Sequence, residues 1–384
     1  MELPALTGLR GIVAFWVVLH HMYYANWLPK GGVAEPLLQR GYLAVDFFFM
    51  LSGFVLMHAY GAKMEKENYA WHSLRGFYGA RVARVYPLHL CVLGVFLLFL
   101  AVPTGVFFSS AYNLADPHAL WVVLANAALV QSWLGSDSLI HPAWSASAEI
   151  FASALFPFLL FVVLRARPIA LVVLCGIGFA SLCLLISSLD GNSISIWSGW
   201  KTLARCIPEF LIGMVLYRLW FSLQRNAPNG RSPIWSVVFS CAAVALLALI
   251  LVRANDIVSI GVMSLLIVSA PSLGRTVSAL FEARSIRWLG QVSFSIYLVH
   301  YPMLAVFTAL RGGVTAPASL SGAALVNAVL FLGAVLVSAD WSYRHIEIPG
   351  RAVTRRVLGL MKAPATISVA DDQPGSAEGL RASR

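Results

Sequence analysis

Charge is scarce in this sequence. Only 11% of its residues are Asp, Glu, Lys or Arg, against about 25% in a soluble domain. That deficit excludes a soluble globular domain of useful size. Cysteine is sparse as well. Cys91, Cys175, Cys183, Cys206 and Cys241 all fall in apolar stretches, with no CxxC pair, so a core of small apolar thiols is expected, with no disulfide framework and no metal site. There is no GxSxG, HExxH or P-loop pattern, which leaves elbow hydrolases, zinc proteases and nucleotide triphosphatases without support. No internal repeat is evident. The N-terminus lacks the basic region and the small-residue cleavage site of a secretory signal.

Long apolar runs make up most of what is present, with hydrophobic residues at 59% of positions. Runs of this kind, at about 20 residues each, read as membrane-spanning helices. We expect an all-α integral membrane protein of about ten spans, at 3–24, 43–60, 85–102, 144–164, 169–187, 203–221, 235–252, 257–272, 291–310 and 321–343. The apolar piece 119–134 is short, contains Asn126 and Gln131, and is expected to be re-entrant or to lie on the surface. With the N-terminus in the cytoplasm, 19 of the 27 Lys and Arg residues fall in cytoplasmic segments and 5 outside. This is the asymmetry that the positive-inside rule requires, and it places both termini in the cytoplasm. It also accounts for the net charge of +10, which in a soluble chain would suggest a nucleic-acid partner. Residues 1–351 form the expected membrane domain. Residues 352–384 form the expected cytoplasmic tail, partly disordered from about Ala363 onward, where Ala, Ser, Gly and Asp dominate without periodicity.

The polar exceptions carry the chemistry. The first span holds Arg10 and His21, 11 residues apart. At ~100° and ~1.5 Å per residue both lie on one helix face, roughly 16 Å apart along the axis. A charge inside a bilayer costs several kcal/mol unless it is paired or faces a polar cavity. Asp46 and Glu149 are expected at the depth of His21. Two carboxylates beside an imidazole would orient it and stabilise its cation, as a general acid/base site requires. The competing reading is that either carboxylate neutralises Arg10 or Arg205 within the bundle. Arg81 and Arg84, three apart on the cytoplasmic side, could fork onto phosphates, or could simply set topology. Arg205 and Glu209, four apart, most simply pair with each other. Gly41, Gly53, Gly213 and Gly290 are candidates for close helix contacts, and Pro87, Pro157, Pro208 and Pro302 for helix starts or kinks. Trp16, Trp133 and Trp144 are candidate interfacial anchors. His300 lies mid-span, one turn after Tyr297, where a core hydrogen bond and a ligand contact are equally compatible with the spacing. The other histidines, His58, His72, His89, His118, His141 and His345, receive no role.

Taken together these stretches resemble the acyltransferase 3 family of membrane acyltransferases. LTGLRGIVAFWVVLHH resembles its opening helix, with Arg10 and His21 at the family's spacing and His20 off it. GYLAVDFFFMLSGFVL, RVARVYPLHL and PAWSASAEIFASALFP are similar to its next blocks, carrying Asp46, the pair Arg81 and Arg84, and Glu149. RCIPEFLIGM, LGQVSFSIYLVHYP and YRHIEIPGR match later ones. The seven blocks occur in order over residues 3–351. The resemblance implies transfer of an acyl group, usually acetyl, from cytoplasmic acyl-CoA to a saccharide hydroxyl by a multi-pass protein of the bacterial inner membrane. It further implies His21 as general base or transient acyl carrier, assisted by Asp46 or Glu149, and Arg10, Arg81 and Arg84 toward the CoA phosphates. Trp144, Tyr297 and His300 join them as candidate substrate contacts. The expected partners are acyl-CoA, a saccharide and the lipid bilayer, without nucleic acid or metal. Some family members carry a C-terminal extracytoplasmic SGNH domain, and no such domain is expected here. A transporter of a small solute or glycan precursor is the alternative reading from spans and buried charge. A scaffold without chemistry would leave the Arg10–His21 spacing unexplained.

Overall fold

In lipid a backbone must satisfy its own N–H and C=O groups, and a helix does so within a single segment. The computed structural model describes residues 3–101, 118–189, 193–224, 231–310 and 322–360, and its regular elements there are helices. In chain order these are α1 Pro4–Tyr24, α2 Glu35–Lys66, α3 Trp71–Ala101, α4 Ala119–Ala127, α5 Gln131–Leu134, α6 Ala143–Arg165, α7 Pro168–Ser187, α8 Lys201–Gln224, α9 Pro233–Leu251, α10 Asp256–Ser269, α11 Arg275–Glu282, α12 Arg284–Gln291, α13 Ser293–Leu310 and α14 Gly322–Val357. Helix α2 includes a 3-10 turn at Arg40–Tyr42 and a π turn at Met57–Gly61, and α14 includes a π turn at Tyr343–Glu347.

Among the described residues, nine helices are long and apolar enough to cross a membrane. They match nine of the ten expected spans. The tenth, 257–272, is the shorter stretch formed by α10 and a 3-10 turn that ends at Ser272. It nevertheless runs the length of α9 in the opposite direction. Arg40 bonds the Leu249 carbonyl and the Asp256 carboxylate at one end, and Ser232 donates to the Ser272 carbonyl at the other. Several helices extend past the apolar runs that reveal them. Helix α3 starts at Trp71, so Arg81 and Arg84 lie within it rather than before it. Helical hydrogen bonding continues where hydropathy stops, because the polar turns need no lipid.

The piece 119–134 is folded back as α4 and α5 against α3 and α6. Asn126 is buried and fully used. Its side-chain amide donates to the carbonyls of Val122 and Asp137, both at 2.8 Å, its Oδ1 accepts from the Leu139 N–H at 2.9 Å, and its backbone carbonyl lies 2.8 Å from His89 Nε2. Trp133 donates to the Ser147 carbonyl at 2.9 Å. Residues 352–360 of the expected tail are described. Helix α14 continues to Val357, and Arg75 donates to the Leu358 carbonyl at 2.7 Å, which seats residues 352–360 on the start of α3. The unstructured stretch expected from Ala363 lies outside the described residues.

The four expected contact glycines all sit at close approaches. A Cβ built on Gly213 would lie 1.9 Å from the Met50 carbonyl oxygen, and one on Gly53 would lie 2.0 Å from that of Phe210. Gly290 presses on the Thr7 carbonyl and Gly41 on the His20 side chain in the same way. Pro87, Pro157, Pro208 and Pro302 all lie inside helices. The five cysteines are free. Only Cys206 is in the core, whereas Cys183 and Cys241 are exposed on helix surfaces, where a small apolar thiol is compatible with lipid.

Candidate active site

Helices α1 and α13 bring two imidazoles together. His300 Nε2 lies 3.2 Å from His21 Nδ1. His21 Nδ1 is also 3.0 Å from the Val17 carbonyl oxygen, and His300 Nδ1 is 2.9 Å from that of Ile296. A carbonyl oxygen only accepts, so each Nδ1 that faces one carries the proton. His300 Nε2 is then a lone pair turned toward His21, and His21 Nε2 is left as an unprotonated nitrogen. His21 lines a cavity of about 420 Å³ that also contacts His20, Tyr24, Tyr42, His141, Trp144, Trp197, Arg205, Tyr297 and Tyr301. His300 is fully buried behind His21 and does not line this cavity. It is placed as a hydrogen-bond partner of His21. The His20, His141 and Tyr301 rings stand 5.2, 5.8 and 5.5 Å from that of His21. His20 donates from Nδ1 to the Leu38 carbonyl at 2.8 Å. In the loop before α6, burial pushes the His141 imidazole below its ordinary pKa, which favours its neutral form.

Asp46 is not part of this group. It is buried on Arg205, which sends Nε to Oδ1 at 2.8 Å and Nη2 to Oδ2 at 2.7 Å. Of the two readings of Asp46, the structure supports neutralisation of Arg205 within the bundle. Glu209 is also buried but makes no ion pair with Arg205, so the expected pairing four residues apart does not form. The fork of Arg205 instead turns across to α2, where a second helix offers both carboxylate oxygens.

A second cavity, of about 150 Å³, is bordered by Arg10, Arg81, Arg84, Glu149, Ser52, Ser145 and Ser293, with Phe48, Phe49 and Phe294 as apolar wall. Here Arg10 donates to the Gly290 carbonyl at 2.6 Å. Glu149 Oε1 accepts from Arg81 Nη2 at 2.6 Å and from Ser52 Oγ at 2.8 Å. The Nε atoms of Arg10 and Arg81 are buried without a hydrogen-bond partner. Glu149 thus lines the arginine cavity and not that of His21, which corrects the shared depth expected for the two. One helical face still links both cavities through α1, with Arg10 at one and His21 at the other. Tyr297 lines both. Its hydroxyl donates to the Pro142 carbonyl at 2.9 Å and lies 2.6 Å from Ser145 Oγ.

Three residues here carry no role from sequence reasoning. His20 and His141 join the His21 cavity, and Glu347 sits next to the arginines. Glu347 is buried, accepts from Ser295 Oγ at 2.7 Å and from Arg351, and lies 3.6 Å from Arg84. The available signal for Glu347 was its place in YRHIEIPGR, as the one acidic residue there among cations.

Residues 3–342 match the model of a family described as an acyltransferase domain. Acyltransferase MdmB of Streptomyces mycarofaciens is 28% identical over 396 residues, which cover 95% of both chains. The peptidoglycan O-acetyltransferase OatA of Listeria monocytogenes is 25% identical over 377 residues, covering 91% of this chain and 56% of that protein. A protein of Rhizobium radiobacter known as protein 2 in the picA locus is 34% identical over 168 residues, or 39% of this chain. No solved structure matches the chain.

Proposed function

The chain belongs to the membrane acyltransferase family that this domain defines, and from that premise we propose that it transfers an acyl group from cytoplasmic acyl-CoA to a hydroxyl of a saccharide. The observation that carries the proposal is His21, its Nδ1 held at the Val17 carbonyl, lining an aromatic cavity one helix face away from three arginines. The arginines suit the phosphates of the donor, since two of them keep a buried N–H uncommitted and a guanidinium forks onto phosphate oxygens. The aromatic rings suit a saccharide ring, which presents an apolar face and hydroxyl edges. The name of the Listeria relative, a peptidoglycan O-acetyltransferase, supports acetyl as the group and a cell-surface glycan as the acceptor class.

In this mechanism Arg81, Arg84 and Arg10 hold the donor phosphates on the cytoplasmic side, and the pantetheine arm runs along α1 past Tyr297 toward His21. His21 Nε2 takes the proton of the acceptor hydroxyl as its oxygen attacks the thioester carbonyl. The His300 lone pair and the Val17 carbonyl hold Nδ1–H, which fixes the tautomer and stabilises the imidazolium that forms. The carbon–sulfur bond then breaks, the CoA thiolate leaves and the imidazolium returns a proton to it. The same nitrogen could first accept the acyl group itself. The bacterial inner membrane is the expected location, because the donor is cytoplasmic and the acceptor cavity lies toward the other end of α1. The transporter reading gives way to the acyltransferase one on family membership.

Mass spectrometry of surface glycans from cells with the wild-type protein, with His21→Ala and with none tests this reading. A shift of one acyl unit present with wild type alone is expected. A shift that persists with His21→Ala removes His21 from the mechanism, and no shift in any glycan moves the acceptor to small secreted glycosides.

A further inference from the structure

A carboxylate buried among membrane helices is costly unless something within reach requires it. Glu347 is 1% exposed and lies just behind the arginine cavity, which it does not itself line. Arg351, one turn further along α14, pairs with Glu347. A second cation, Arg84, places Nη1 3.6 Å from the same Glu347 Oε1 and its guanidinium 5.7 Å over the Phe294 ring, and unlike Arg351 it lines the arginine cavity. Ser295 Oγ holds the other Glu347 oxygen at 2.7 Å. Backbone geometry delivers the carboxylate to this point. The π turn Tyr343–Glu347 offsets the helix by part of a turn at this residue, and insertions of this kind re-aim side chains in helices. Gly350 then lets α14 close onto α3, where a Cβ on it would lie 2.4 Å from Cβ of Pro87, one turn beyond Arg84.

We propose that Glu347 is a positioning residue of the donor site, fixing the Arg84 guanidinium against the cavity wall so that its remaining N–H groups face a phosphate of the acyl donor. The proposal rests on the reading of acyl-CoA as donor. Its charge runs against the donor's, so the gain must come from pre-organising Arg84. Removal of Glu347 then weakens phosphate binding even though it makes the cavity more positive. Simple electrostatics predicts the opposite sign.

Calorimetric titration of the full-length protein in detergent micelles tests this, using acetyl-CoA and, as a donor without the nucleotide, S-acetylpantetheine. Glu347→Gln is expected to weaken acetyl-CoA about tenfold and leave acetylpantetheine unchanged. Glu347→Asp should recover most of the loss. In an Arg84→Ala background Glu347→Gln should cost nothing more, because both act through one guanidinium. Should Glu347→Gln fail to fold, Ser295→Ala, which removes one anchor of the carboxylate, is expected to give a smaller loss of the same phosphate-selective kind. Acetyl-CoA bound as tightly or more tightly by the Gln variant, or equal losses for both ligands, overturns the positioning role and leaves the donor reading intact. A wild-type protein that binds neither ligand overturns the donor reading and this proposal together.

Discussion

Arg205 on α8 grips both carboxylate oxygens of Asp46 on α2, and its other donors reach the carbonyls of Ile196 and Tyr42 at 3.2 and 3.1 Å. Both side chains are buried. Removing one partner strands the other charge, at a cost of about 3–5 kcal/mol. Asp46→Ala should therefore lower the unfolding temperature in detergent and the amount of protein in the membrane. Transfer per folded molecule should hold. A fall of a hundredfold in specific activity with unfolding unchanged would return Asp46 to the chemistry.

His21 and His300 are expected to behave differently from that pair. His21→Ala removes the base itself and should cut transfer by about 10²–10⁴, the usual contribution of a general base, with normal unfolding. His300→Ala leaves His21 held by Val17 alone, so turnover should fall by an intermediate factor. Rates of acyl transfer by the two purified variants check this. Equal losses would make the imidazoles a single unit, and no loss from His300→Ala would reduce that contact to packing.

Glu149 offers a direct contrast between sequence and structure. As a partner of His21 its removal would lower kcat. In the arginine cavity, where it accepts from Arg81 and Ser52, its removal should alter the KM for the donor instead. Arg81→Ala with Arg84→Ala should raise that KM by tenfold or more, since a hydrogen bond to a charged group contributes about 1.5–3 kcal/mol. Steady-state kinetics at varied acyl-CoA separates the two effects. An unchanged donor KM in the double variant would remove the arginines from phosphate binding.

What was legible in the sequence follows what periodicity and hydropathy can carry. Spans 3–24 and 144–164 appear nearly as written because apolar runs end where lipid does. Arg10 and His21 were placed on one face by helix geometry alone. Pairing between helices was not legible. Whether Asp46 meets His21 or Arg205 depends on how α2, α8 and α1 lean together, and no spacing within one helix encodes that. His141 receives no role from the sequence for the same reason, since the loop before α6 carries it to His21 across the fold. The glycines were the exception. Close helix contact needs a missing Cβ, so Gly53 and Gly213 marked a contact before their partners were known.

That contact gives the sharpest test of the fold. An alanine in place of an unconstrained helical glycine should stabilise by up to about 1 kcal/mol through helix propensity. Gly176 on α7 meets nothing within 4 Å of its would-be Cβ, so Gly176→Ala should show that gain or remain neutral. Gly213→Ala gains the same propensity but puts a methyl 1.9 Å from the Met50 carbonyl oxygen. The obstruction is backbone and cannot rotate away, so α2 and α8 must separate. Overpacking costs about 1–3 kcal/mol even where side chains can yield, which exceeds the propensity gain. Separation would also stretch the Asp46–Arg205 pair that joins the same two helices. Gly213→Ala should therefore unfold at lower temperature than wild type while Gly176→Ala does not, as measured by thermal unfolding in one detergent. Equal behaviour of the two variants would mean that α2 and α8 do not approach as closely as Met50 and Gly213 require.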